Sequence, residues 1–109
     1  MPFFVVSMSH PVGRAWHDHL PAHLAYLQGL VSDGRLRASG RLKNRPFRSG
    51  LLVFKAADEE EVRRLVEADP FAVADLIHDL SINEWEPFLG VWAAEVDTPL
   101  PAPLAAAPS

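Results

Sequence analysis

Leu36-Arg37-Ala38-Ser39-Gly40-Arg41-Leu42, a polar interval at residues 43–50, and then Leu51-Leu52-Val53-Phe54 form the stretch on which the fold turns. Leu36, Ala38, Gly40 and Leu42 alternate with Arg37, Ser39 and Arg41, the period of two that marks a strand with one cationic face. Asn44, Pro46, Ser49 and Gly50 give the interval a loop composition, and the apolar run after it reads as a second strand. A hairpin in mid-chain follows. On its N-terminal side, Phe3-Phe4-Val5-Val6-Ser7-Met8 predicts a buried strand ended by Ser9-His10-Pro11. Between that strand and the hairpin, Leu20, Leu24, Leu27 and Val31 recur at helical spacing over residues 14–33, with Gly34 as the stop. Pro21 predicts a break near Leu20 or a helix that starts there.

On the C-terminal side, Asp58 with Glu61 three residues later predicts a capped helix that buries Val62, Leu65 and Val66. Asp69-Pro70 must interrupt it, because the residue before proline is pushed out of helical geometry. The same pair, Asp69 as N-cap and Pro70 in first position, starts a short third helix. A strand over residues 80–85 and an edge strand over residues 89–96 complete the order. The result is an α+β chain, a ferredoxin-like β-α-β-β-α-β plan with a short extra helix, and no internal repeat.

The chain has 109 residues, 49% hydrophobic and 22% charged, which suits one domain, placed at residues 1–97. Residues 98–109 hold four prolines and four alanines, a tail expected to lie along another subunit or a crystal neighbour. The absence of cysteine excludes disulfides, thiolate zinc sites and cysteine nucleophiles. A net charge of −4 argues against nucleic acid as a partner, and the strand at residues 48–54 lacks the glycine-aromatic pattern of RNA-stacking sheets. No apolar run reaches the roughly 18 residues of a membrane span, so no membrane partner and a cytoplasmic location are expected.

Charge is segregated along the chain: residues 1–50 carry a net +5 and residues 51–109 a net −9. Arg35, Arg37, Arg41, Lys43, Arg45 and Arg48 cluster with no acid among them. Arg37, Ser39 and Arg41 on one strand face suit a carboxylate or phenolate substrate, since guanidinium pairs bidentately with such groups; a solvated face matched to the acids of the second half is the alternative. His17, His19 and His23 do not make a metal motif, because Pro21 intervenes and no glutamate follows the first histidine. His19 is kept as a pocket-lining candidate, and no metal or cofactor is expected. Trp85 and Trp92 suit a pocket wall or a subunit interface.

Ala22-His23-Leu24-Ala25-Tyr26-Leu27, Asp33-Gly34-Arg35-Leu36 leading to Ala38-Ser39-Gly40, and Ala68-Asp69-Pro70-Phe71 together resemble the YCII-related (YciI-like) family over residues 2–88. The resemblance implies a dimeric α+β barrel in which two ferredoxin-like subunits pack sheet against sheet. It also implies a pocket holding a His-Asp pair, which falls here on His23 and Asp69. Related dimeric barrels isomerise lactones and eliminate halide during aromatic-ring degradation, so a lyase or isomerase is implied. The family usually has proline after the glycine at position 40, whereas Arg41 stands there in this chain.

His23 and Asp69 are 46 positions apart, so only the fold can join them. If Asp69 accepts from one imidazole nitrogen, it fixes the tautomer and leaves the other nitrogen to act as a general base. Asp69 equally suits a simple helix cap, and His23 equally suits the border of the apolar stripe beside Leu27. The expected function is thus His-Asp assisted proton transfer on an anionic small molecule in a homodimer, with higher assembly through the tail. The alternative is a non-catalytic dimeric ligand-binding or assembly module.

Overall fold

Residues 1–96 are described in the computed structural model of the chain, and the tail expected at residues 98–109 lies outside them. Four strands, β1 (Phe3–His10), β2 (Leu36–Leu42), β3 (Arg48–Lys55) and β4 (His78–Trp85), form one antiparallel sheet in the order β2-β3-β1-β4. Helix α1 (Arg14–Ser32) carries the chain from β1 to β2, while α2 (Glu59–Glu67) and α3 (Pro70–Val73) carry it from β3 to β4. Two β-α-β units interleave, which is the ferredoxin-like α+β arrangement.

The register explains the core. Phe4, Val6 and Met8 of β1 stand opposite Phe54, Leu52 and Gly50 of β3, so alternate residues of both central strands share one face. Leu27 and Leu30 of α1 and Val62 and Val66 of α2 pack on that face. Each such side chain taken from water contributes about 1.5–3 kcal/mol. The helix ends are set locally. Gly34, at φ 78°, closes α1 with its N–H on the Val31 carbonyl and the Arg35 N–H on the Leu30 carbonyl. At the start of α2, Asp58 accepts the Glu61 N–H at 2.8 Å, and the Glu61 carboxylate accepts the Ala57 N–H at 3.1 Å.

Three expectations are corrected. Pro21 does not break α1, which runs unbroken through it. The cost is one helical donor for the His17 carbonyl, and His17 is exposed, so water can replace it while His23, Leu27 and Leu30 anchor the helix beyond. Residues 89–96 form no edge strand. A single 3-10 turn over Ala93–Glu95 follows a glycine at φ 104°, Gly90, and Trp92 stacks on Phe3 with ring centres 5.6 Å apart.

The third correction concerns β2. Leu36 stands opposite Phe54, but Ala38 stands opposite Val53, so Arg37 is an extra residue in a β-bulge. The bulge reverses the alternation. Leu36 joins the core, whereas Ser39 and Arg41, opposite Leu52 and Gly50, now share the helix-covered face. Arg37 is left on the other side, over the rings of Phe3 and Trp92, where it makes a bidentate pair with Glu95. Hydrogen bonds from Arg37 first, and from Lys55 second, hold the Glu95 carboxyl down to about 2. The three residues expected on one face therefore divide between two.

Candidate functional site

His23 sits on the buried side of α1, and Asp69 occupies the short bend between α2 and α3. The His23 Nδ1 lies 2.9 and 2.8 Å from the two Asp69 carboxylate oxygens, with the histidine 9% and the aspartate 3% exposed. A carboxylate can only accept, so Nδ1 carries the hydrogen and Nε2 is the ring's free nitrogen. Asp69 Oδ1 also accepts the Phe71 N–H at 2.9 Å, capping α3. The two readings of Asp69 are thus one arrangement. A residue placed as a helix cap is, by the same oxygens, the partner that orients the imidazole.

Phe71, fixed by that cap, stacks on the His23 ring with centres 4.0 Å apart and planes 13° apart. Its ring also lies 4.9 Å from His10, the last residue of β1. His10 is buried and donates Nδ1–H to the Leu76 carbonyl at 2.7 Å. Burial pushes its pKa below the usual 6.5, and His23 and His78 push the same way, against the Leu76 carbonyl and Asp69. The ring is therefore held neutral, with Nε2 as an acceptor.

A cavity of about 270 Å³ opens between α1 and the sheet. Met8, Leu20, Leu24, Leu27, Leu52 and Phe71 make its apolar walls, and His10, His23, Trp16, Arg48, Ser39 and Arg41 supply polar groups. Apolar walls with a few convergent polar groups are the usual makings of a small-molecule site. A larger, polar hollow of about 430 Å³ lies on the other side of β1, where Ser9 donates to Asp79 at 2.7 Å. Phe47 is the one aromatic residue in its lining, which includes no histidine.

The fold brings His23, Ser39 and Arg41 to one cavity, with Asp69 behind His23. His19 does not join them, since its Nδ1 donates to the Ala15 carbonyl of its own helix at 2.9 Å. Arg37 does not join them either, because of the bulge. Among the described residues no three His, Asp or Glu side chains are grouped to hold a metal ion.

Three pocket residues escaped the sequence reading. His10 shares the parity of Phe4, Val6 and Met8, and Arg48 stands directly opposite it in β3. Trp16 precedes His23 by seven residues, two turns along the same face of α1. Its ring lies under the Arg48 guanidinium, 3.9 Å from centre to Cζ. The Trp16 Nε1 and Arg48 Nε atoms are both buried and have no hydrogen-bond partner among the described residues. A buried donor left unpaired costs about 1–3 kcal/mol.

The strand order and helix placement put the chain in the class of ferredoxin-like α+β folds, with an oriented histidine beside an apolar cavity. Within that class, the YCII-related domain model matches residues 1–86, and the chain belongs to that family. Among solved structures it is similar to 5-chloro-2-hydroxyhydroquinone dehydrochlorinase (TftG) from Burkholderia phenoliruptrix AC1100, in complex with 2,5-dihydroxybenzoquinone. The two share 25% identity at a TM-score of 0.66, over 76% of this chain and 92% of that one. No curated protein matches the sequence significantly. No helix among the described residues is long and apolar enough to cross a membrane.

Two outcomes follow from the geometry. Asp69→Asn keeps an oxygen for the Phe71 N–H but loses the carboxylate, so the fold survives while the ¹⁵N spectrum of His23 loses its single Nδ1–H tautomer. Asp69→Ala removes both bonds and costs about 2–4 kcal/mol in denaturant unfolding. An unchanged His23 spectrum in the Asn variant would refute the pairing. For His10 the folded pKa lies below the unfolded value, so its stabilisation is present above about pH 6.5 and is lost as pH falls below it. The stability gap between wild type and His10→Gln should accordingly shrink on acidification; a gap independent of pH would contradict the neutral, buried ring.

Proposed function

We propose that this protein is a small-molecule lyase or isomerase that moves a proton with His23, oriented by Asp69, on a small anionic, ring-shaped substrate. The observation that carries this reading is the His23 Nδ1 locked to the Asp69 carboxylate at 2.8 Å while its ring lines an apolar cavity. With Nδ1–H committed, Nε2 is the nitrogen available to a bound molecule. It removes a proton from a carbon made acidic by a neighbouring carbonyl, and the positive charge that develops on the ring sits beside a carboxylate. In an isomerisation the same Nε2–H returns the proton to a second carbon of the enolate. In an elimination the electron pair freed from the C–H bond forms the new double bond, the adjacent leaving group departs as an anion, and the proton passes from His23 to water. Neither step needs a redox partner.

Support for the ring comes from the flat aromatic surfaces of Phe71 and Trp16 on the cavity, and from the quinone held by the structural neighbour, itself a dehydrochlorinase. Ser39 and Arg41 line the same cavity and supply the oxyanion contacts in this reading. The test is a panel of chlorinated hydroquinones and hydroxyquinols, followed by chloride release above the enzyme-free rate and by deuterium uptake from D₂O. His23→Gln should lower turnover of any active member by about 10²–10⁴-fold with the fold intact. Turnover at the wild-type rate in that variant would sink the reading.

A second copy of the chain is the proposed cover for the open sheet face. The helices cover only one side, and on the other Val5, Ser7, Leu51 and Ala38 are left half-buried or exposed. A sheet needs a layer on each apolar face, and a two-fold pairing of like faces supplies it. Light scattering should give twice 12.0 kDa, and a monomer mass at micromolar concentration would exclude the pairing.

A further inference from the structure

We infer that the cavity seats the anionic oxygen of its ligand at the Arg48–Trp16 end, with the ligand ring lying from there toward His23. The inference rests on the small-molecule reading above and moves its main anion contact from Ser39 and Arg41 to Arg48 and Trp16. Two donors, Trp16 Nε1 and Arg48 Nε, are buried side by side and unpartnered among the described residues. Folded proteins rarely leave such groups without a partner, and both residues line the same cavity, so this end of it is polar and unsatisfied. The stack itself matters. With its face on the Trp16 ring, the guanidinium is held rigid and can only present its N–H edge, the geometry that grips a carboxylate or a delocalised enolate.

The charge around the site points the same way. Arg41, Lys43, Arg45 and Arg48 line a hollow that shares Arg41 and Arg48 with the cavity, and none of them makes an ion pair among the described residues. Of the two cations of the hairpin that are paired, Arg37 and Lys55, both meet Glu95 on the opposite face of the sheet. The helix-covered face is thus left with uncompensated positive charge beside an apolar cavity, which attracts an anion and rejects a cation. His10 stands opposite Arg48 across the β1–β3 pair, with its Nδ1–H committed to the Leu76 carbonyl. The ligand class is a small cyclic compound with one resonance-delocalised oxyanion, a carboxylate or an enolate, conjugated to its ring.

The probe is benzoate, with benzamide as its uncharged isostere, titrated into the full chain and read by calorimetry and by the Trp16 indole and Arg48 Nε–H resonances. Benzoate should shift both resonances and bind at least tenfold more tightly than benzamide. Arg48→Gln should weaken benzoate at least tenfold and leave benzamide unchanged. Trp16→Phe, which keeps an aromatic ring but removes the donor, should weaken benzoate severalfold. Arg63→Gln removes an equal charge from the outer surface of α2, away from the cavity, and should change affinity less than twofold. Benzoate binding no tighter than benzamide, or indifferent to both Arg48→Gln and Trp16→Phe, overturns the inference, and the Trp16 variant decides the matter if Arg48→Gln does not fold. The two ideas fail separately: loss of turnover in His23→Gln with Arg48-independent benzoate binding leaves the proton-transfer reading standing without this subsite. Arg48-dependent binding with normal turnover in His23→Gln does the reverse.

Discussion

Three hydrogen-bond contacts converge on one buried carboxylate, and the organisation of the pocket depends on it. Asp69 takes the Phe71 N–H and the His23 Nδ1–H with a side chain only 4% exposed. A carboxylate in that position without donors would be strongly disfavoured, so the three groups must assemble together. The consequences run outward from there. Pro70 forbids continuation of α2, Asp69 starts α3 within one residue, and the single turn of α3 lays Phe71 against His23, His10 and Trp16. One residue therefore joins a local event, the restart of a helix, to a contact 46 positions away in α1.

This explains which parts of the structure were legible in the sequence. Capping is local, so Asp58 with Glu61, Gly34, and Asp69 ahead of Pro70 announce their roles in the residues beside them. The core face is legible for the same reason, since a period of two in β1 and β3 needs no knowledge of partners. The pairing of His23 with Asp69 came only through family resemblance, because no spacing rule connects residues so far apart. What local pattern cannot contain is a shift of register. The bulge at Arg37 changes nothing in the composition of β2, yet it moves Ser39 and Arg41 to the cavity side and sends Arg37 to the other. His10, Trp16 and Arg48 were hidden differently. Each looks ordinary in its own element, and they become a group only when β1, α1 and β3 are laid together.

Pro21 shows the opposite failure, a local rule outvoted by packing. A proline in a helix interior costs roughly 3 kcal/mol, and it is tolerated here because α1 buries Leu27 and Leu30 in the core and His23 on Asp69 just beyond it. The expected edge strand failed for a related reason. Residues 92–95 gain more from Trp92 on Phe3 and from Glu95 between Arg37 and Lys55 than an exposed strand at the sheet margin would give.

The two pocket histidines carry the last step. Both rings are forced into the Nδ1–H tautomer, one by a carboxylate and the other by a backbone carbonyl, so both keep Nε2 free of intrachain bonds among the described residues. Their acceptors differ in what happens when a proton arrives. His23 faces a carboxylate, whereas His10 faces only a carbonyl dipole, and burial disfavours the charged form of His10. The two rings, with centres 6.4 Å apart, thus differ in the partner that orients them. The neutral His10 contributes shape and a hydrogen-bond acceptor, and so leaves the field of the cavity to Arg48 and Arg41.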